Sequence, residues 1–230
     1  RIAACDGRFV SVMPRTWKED ALFRQSVREG KVQWDRLLSR PNNRKPDSQI
    51  DRYYLATGDH HAKGYRLLWI KSSQKADQDA QTRAHGLAEA LNALKALQAR
   101  LNRYTLKTRE AIQQAMAKIL SEHNVETLID CRLDSQPVSK KKYNQPGRPS
   151  SAQKGTLIWT TEFSLRFQEN QQAIQLQALT DGIFPLITNL DQKDYSAKRA
   201  LEIYKFQPFL EKRHSQIKTW QQVTPVLLKK

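Results

Sequence analysis

Four polar side chains near the end of the chain have types and a spacing that could support catalysis. They are separated by three, four and seven positions: Tyr204, Gln207, Glu211 and Lys218. On a helix these spacings keep all four on one side. A carboxylate held on a rigid helix can ligate Mg²⁺ through oxygen, and a cation two turns away can contact a phosphate. With a phenol and an amide beside them, they form one wall of a metal-dependent phosphoryl-transfer site.

A helix and the strand before it must position this stripe. The mostly apolar residues 183–188 predict a buried strand. Asp194 or Ser196 is expected to cap a helix from about residue 197, and Pro208 predicts a kink or a new helix start. Three apolar residues on a different face are expected to anchor the helix in the core: Phe206, Leu210 and Ile217.

The charge of the chain points to a polyanionic partner. Its 230 residues carry 39 Lys and Arg against 23 Asp and Glu, a net charge of +16. Such an excess favours nucleic acid over other partners. No apolar run approaches the roughly 20 residues that span a bilayer, so no membrane role is expected. Cys5 and Cys131 form no CxxC pair and fit a reducing cytoplasm.

Strands and a helix are predicted before the middle of the chain. Residues 8–13 predict a short strand, and Thr16 with Glu19 forms a capping box for a helix that ends near residue 29. Residues 40–49 have the composition of a loop, and strands are expected at 52–56 and 65–71.

The clearest periodicity belongs to a leucine seam. Apolar residues recur at spacings of three and four along residues 84–101, which predicts a long helix over 74–102. A second amphipathic helix follows over 106–123, so an intramolecular helical hairpin is favoured. Dimerisation through the seam is the alternative.

A basic segment interrupts the predicted strands that follow the hairpin. Residues 137–155 contain three prolines, two glycines, five Lys or Arg and no acid, which predicts a loop between strands at 125–133 and 156–167. Its Lys140, Lys141, Lys142 and Arg148 are either a solvated tip or phosphate contacts. A further strand is expected at 173–179.

The spacing Tyr204-x2-Gln207-x3-Glu211-x6-Lys218 resembles the Y-x2-R-x3-E-x6-K signature of bacterial insertion-sequence DDE transposases. Residues 181–189 resemble the strand that precedes this motif in the family. Residues 6–20 are similar to the strand and loop that follow the second catalytic aspartate. Gln207 stands where the family usually has Arg.

The resemblance implies a mixed α+β or α/β fold with a partial RNase H-like core. That core would comprise 1–44 and 181–230, interrupted by an insertion over 45–180 that contains strands, the helical hairpin and the basic loop. In the family, Asp, Asp and Glu hold two Mg²⁺ ions for DNA cleavage and strand transfer, and Glu211 would be the third acid and a metal ligand. DNA contacts are expected from Tyr204, Gln207, Arg213, Lys218, Lys140, Lys141, Lys142 and Arg148.

Both catalytic aspartates of the family lie before the region that matches residues 6–14. We therefore expect a portion of a transposase, in the bacterial cytoplasm at the nucleoid, that is inactive alone. The alternatives are a non-catalytic DNA-binding protein, or a remnant that dimerises or pairs with an intact transposase. Without the family pattern, Glu211 and Lys218 could simply form a solvated helix face, and Glu211 with His214 could form a Glu-x-x-His metal pair.

Overall fold

The computed structural model describes residues 7–41, 50–58, 60–142 and 156–220, which form a mixed α+β fold. The strands in these residues are β1 (Val10–Val12), β2 (Trp34–Pro41), β3 (Ile50–Ala56), β4 (His60–Ala62), β5 (Tyr65–Ser72), β6 (Ile129–Lys142), β7 (Thr156–Glu169) and β8 (Ile183–Thr188). The helices are α1 (Lys18–Arg28), α2 (Ser73–Arg100), α3 (Arg109–Glu122), α4 (Gln171–Ala178) and α5 (Ala197–Trp220).

The chain divides into two compact units. The first comprises the described residues within 1–79 and 179–230, and the second comprises Ala80–Ala178. Strands β3, β4 and β5 pair within the sheet of the first unit, although they fall inside the insertion predicted over 45–180. Helix α2 begins in the first unit and belongs to the second from Ala80 onward.

The first unit is built on one sheet with the order β1-β8-β5-β3-β2, and β4 also pairs with β5. Among the described strands every pairing is antiparallel. All six residues of β8 are buried, which confirms the predicted buried strand. Pro185 has no N–H to donate within β8, but the Pro185 carbonyl oxygen accepts from the Met13 N–H at 3.0 Å.

Helix α1 covers one face of this sheet. The Phe23 ring stacks on Trp69 with centroids 3.9 Å apart. The Arg24 guanidinium bonds Asp20 at 2.8 Å and donates to the carbonyls of Thr180 and Ile183 at 3.2 and 3.3 Å. These bonds satisfy a largely buried cation and fix the helix to the start of β8.

The opposite face is covered by the first turns of α5. Ala197, Ala200 and Leu201 are buried there against Ile70 and Leu186. The two alanines allow the helix to approach the sheet closely. Because successive residues of a strand point to opposite faces, the apolar runs of β5 and β8 supply both layers.

A buried carboxylate organises the junction between β5 and α2. One oxygen of Asp51 accepts from the hydroxyls of Ser72 and Ser73 and from the Gln74 N–H, each at 3.1 Å. Three donors converge on a side chain that is 5% exposed. The carboxylate therefore supplies the N-terminal cap that α2 needs.

Asp51 also affects Tyr53 of the same strand. Burial, together with the hydrogen bond to Asp51, raises the pKa of the Tyr53 hydroxyl well above its ordinary value.

The second unit has its own core. Leucines of α2 pack with Ile112 and Met116 of α3 in one buried cluster, which confirms the intramolecular hairpin. Phe163 and Leu165 of β7 belong to the same cluster. The end of the β6–β7 ribbon that carries these two residues therefore packs on the helices.

Three predictions of secondary structure are wrong. Residues 171–178 form helix α4 rather than a strand, because Asn170 Oδ1 caps it at the Ala173 N–H and Ala and Gln favour helix. Residues 137–142 form a strand rather than a loop, because they pair with 156–161 in a two-stranded ribbon whose edges tolerate Pro137. Helix α1 begins at Lys18 without a side-chain cap, so Thr16 lies outside the cap position.

Pro208 lies inside α5, which continues through it. The proline lacks the N–H that would bond the carbonyl four residues earlier, so the helix passes with one bond fewer. The alternative of a new helix start is therefore wrong.

Gly182→Ala should lower the free energy of unfolding of the chain by about 3 kcal/mol. A Cβ there would lie 2.4 Å from the Ser72 carbonyl oxygen and 2.9 Å from the Ala76 Cβ, at a φ of +77°. Urea unfolding measures the loss. Gly64→Ala is the control, because Gly64 has φ +79° with nothing within 4 Å of its Cβ position. We expect about 1 kcal/mol there, and equal losses in both variants would contradict the steric explanation.

Candidate functional site

The stripe begins with a tyrosine that packs on the sheet. Tyr204 is half-buried, and its ring lies 6.1 Å from that of Phe184, centroid to centroid. The neighbouring Lys205 places its Nζ 5.1 Å from the Tyr53 ring centroid and 5.8 Å from that of Phe184. This part of α5 is held by aromatic and cation–π contacts.

Gln207 fixes α5 to the edge of the sheet. Its Nε2 donates to the carbonyl oxygen of Val10 at 2.9 Å, across 197 positions of sequence. Val10 lies in β1, an edge strand with carbonyls that need partners. The amide therefore has a structural contact, whereas its predicted contact with DNA stays a prediction.

Glu211 lies one helical turn beyond Gln207, with an exposed side chain. Within the described part of the chain its carboxylate has neither a hydrogen-bond nor an ion-pair partner. Lys212 and Arg213 beside it are exposed as well. Glu211 is the only acid between Lys205 and the end of the sequence. Position 218 belongs to α5, but the Lys218 side chain lies outside the described residues.

The apolar face of α5 is not a core anchor beyond its first turns. Phe206 and Leu210 are 49% and 42% exposed, and Phe209 is 61% exposed. The prediction that Phe206 and Leu210 are buried is wrong, because α5 meets the sheet with the face that carries Leu201, Tyr204 and Gln207. Phe206 and Leu210 lie on another face of the helix. Ile217 lies outside the residues whose side chains are described.

The described residues do not make a site for two Mg²⁺ ions. They contain no group of three His, Cys, Asp or Glu side chains placed to hold a metal. Glu211 offers one carboxylate to a metal that prefers six oxygen ligands. The His214 side chain, the other half of the Glu-x-x-His pair, lies outside the described residues.

A basic cleft of ≈ 260 Å³ lies beside Tyr204. Arg15, Lys75 and Lys205 bring three cations to its lining. Lys75 also pairs with Asp79 at 2.9 Å. Sequence reasoning missed this cleft, because its cations come from a loop, the start of α2 and α5, and share no local spacing.

The predicted lysine cluster lies at the far end of the β6–β7 ribbon. Lys140 bonds Glu162 at 2.8 Å, which gives it a structural partner. Lys141 and Lys142 are exposed. Arg148 lies outside the described residues. The ribbon belongs to the second unit, and the stripe belongs to the first.

No helix of the described residues is long and apolar enough to cross a bilayer.

Comparison with protein-family models, curated proteins and solved structures finds no match to this chain.

Function must therefore be argued from two features. One is an exposed acid among cations on a helix that the sheet positions, and the other is a basic ribbon.

Gln207→Ala should lower the free energy of unfolding by about 1 kcal/mol, because the Val10 carbonyl loses its donor. Gln207→Glu should cost about 2 kcal/mol, since two acceptors then face each other. Gln207→Arg keeps a donor and should stay close to the parent. Urea unfolding measures all three. Lys212→Ala, at an exposed position of the same helix, serves as the control. A Gln207→Glu protein as stable as the parent would show that the Gln207–Val10 hydrogen bond does not stabilise the chain.

Proposed function

We propose that this chain carries the third-carboxylate helix of a DDE-type transposase, an enzyme of DNA cleavage and strand transfer. The observation that carries the proposal is the placement of Glu211. It is exposed on α5, one turn beyond the Gln207 bond to the sheet, and the exposed Lys212 and Arg213 follow it directly. A carboxylate positioned in this way can meet a metal bound to a phosphate, and the cations can contact the flanking phosphates.

The architecture of the first unit supports the same proposal. Helices pack on both faces of its sheet, and the helix with the acid follows the fully buried strand β8. We assign this unit to a partial RNase H-like core and the second unit to the insertion. The stripe motif carries this assignment, since antiparallel pairing alone is common to many folds.

Glu211 would be one of three acids around two Mg²⁺ ions. No step of the reaction is assigned to the described residues, since they contain no group of three potential ligands placed to hold a metal. The proposed reaction therefore needs two further acids beside Glu211. With DNA as its partner, the chain would act at the nucleoid in the cytoplasm.

The second candidate function is non-catalytic DNA binding. Its supporting observation is the presence of two basic surfaces: the cleft with Arg15, Lys75 and Lys205, and the ribbon with Lys141 and Lys142. Phosphate contacts add affinity independently of catalysis.

DNA affinity of the purified chain should fall steeply with salt. Each phosphate contact releases condensed counterions, so the slope of log K against log salt should be about −3 or steeper on duplex DNA. Fluorescence anisotropy across a salt series measures it. Heparin competition, as a second polyanion, controls for general charge attraction. A flat response would exclude a DNA-backbone partner.

Glu211→Gln should abolish strand transfer while sparing DNA binding, in a longer chain that carries the two aspartates. Loss of a metal-binding charge should lower the transfer rate on the order of a thousandfold. A gel assay with Mg²⁺ measures transfer, and Glu126→Gln, an exposed acid of the second unit, is the control. Transfer that survives would remove Glu211 from the catalytic set.

A further inference from the structure

The far half of the β6–β7 ribbon extends beyond any described packing. Near its base, Phe163 and Leu165 are buried in the core of the second unit. From the pair Gln136–Glu162 to the pair Lys142–Thr156 the ladder continues for seven pairs. At about 3.3 Å per residue this arm is about 23 Å long. Most of its side chains are exposed.

The two faces of the arm differ in chemistry. Side chains alternate along a strand, so the face that carries Phe163 and Leu165 at the base carries Trp159 and Leu157 farther out. Cross-strand partners share a face, and Trp159 lies opposite Ser139 while Leu157 lies opposite Lys141. One face therefore presents an indole, a cation and hydroxyl groups together.

Trp159 is the unusual residue of this face. It is 71% exposed, and Leu157 beside it is 60% exposed. A large aromatic side chain on the exposed part of a strand contributes nothing to the core and offers apolar area to a partner. In the described part of the chain, neither Lys141 nor Lys142 has an ion-pair partner, whereas Lys140 is paired with Glu162.

We propose that this arm binds DNA with unpaired bases and that Trp159 stacks on a base. Lys141 on the same face, and Lys142 on the other face at the end of the narrow two-stranded ribbon, contact the flanking phosphates. The inference rests on DNA as the partner in the proposed function and adds the form of DNA and the residue that reads it. Stacking on an indole needs an accessible base face, which paired bases inside a duplex do not offer. A polyanion complements the positive charges of Lys141 and Lys142.

A protein partner fits this face less well. Lysine is depleted in the cores of protein interfaces, whereas aromatic rings between cations are typical of single-strand binding. Self-association through the apolar face remains an outcome that the experiment detects.

The experiment compares binding of the full chain to a labelled single-stranded oligonucleotide and to the duplex of the same sequence. Trp159→Ala should weaken single-strand binding roughly 5- to 100-fold and change duplex binding little. Trp159→Phe should restore most of the affinity. Because the side chain is exposed, these variants keep the fold, which circular dichroism checks.

A charge variant separates stacking from electrostatics. Lys141→Gln with Lys142→Gln should weaken binding to both forms and reduce the salt slope by about 1.5. The control is Lys95→Gln with Lys107→Gln, which removes the same charge from exposed positions of the second unit.

Tryptophan fluorescence gives a second measurement of stacking. Single-strand binding should quench the part of the fluorescence that comes from Trp159, which is the part that Trp159→Phe removes.

Three results would overturn the proposal. If the parent binds DNA and Trp159→Ala binds the single strand equally well, the stacking role is wrong and the proposed function stands. If the parent binds neither form of DNA, the proposed function fails and takes this inference with it. If Trp159→Ala instead turns a DNA-free dimer into a monomer in light scattering, the face docks a second copy of the chain.

Discussion

The first unit depends on a close approach at Gly182. Its carbonyl accepts from the Ser72 N–H at 3.1 Å, and its own N–H donates to the Asp79 carboxylate at 2.9 Å. The end of β5, the first turn of α2 and the start of β8 meet at this point. Only a residue without a Cβ fits against the Ser72 carbonyl at this φ. The register of β8 beside β5, and with it the start of α5, follows from this contact.

The same junction explains why a charge is buried in the sheet. A helix N-terminus leaves several N–H groups without partners and carries partial positive charge, so the Asp51 carboxylate gains from both its hydrogen bonds and the helix dipole. Ser72 adds a second cap through the Lys75 N–H at 3.2 Å. Polar contacts therefore set the geometry of the junction between β5 and α2, whereas apolar side chains pack on the two faces of the sheet.

Local patterns predicted what is local. The leucine seam of α2 predicted a helix because one buried face imposes a period on neighbouring residues, and the continuous apolar run of β8 predicted a buried strand. Helix α4 was not predicted, since its apolar residues alternate as in a strand, whereas the Asn170 cap and the helix propensity of its Ala and Gln residues favour a helix. The exposure of Phe206 and the partner of Gln207 were also beyond prediction. Both depend on how α5 lies against the sheet, which involves residues close to the start of the chain such as Val10.

Under the proposed function, the stripe on α5 has two tasks, phosphate binding and metal binding, that respond differently to substitution. Phosphate binding is a sum of separate contacts, so a glutamine in place of an arginine at position 207 removes one contribution and, here, provides a neutral donor for the Val10 carbonyl. Metal chemistry is not such a sum, because two cations need several acids at once and one carboxylate alone gives no partial site. Under the proposed function, affinity for DNA would therefore not depend on a complete set of acids, whereas Glu211 would bind a metal only together with other acids.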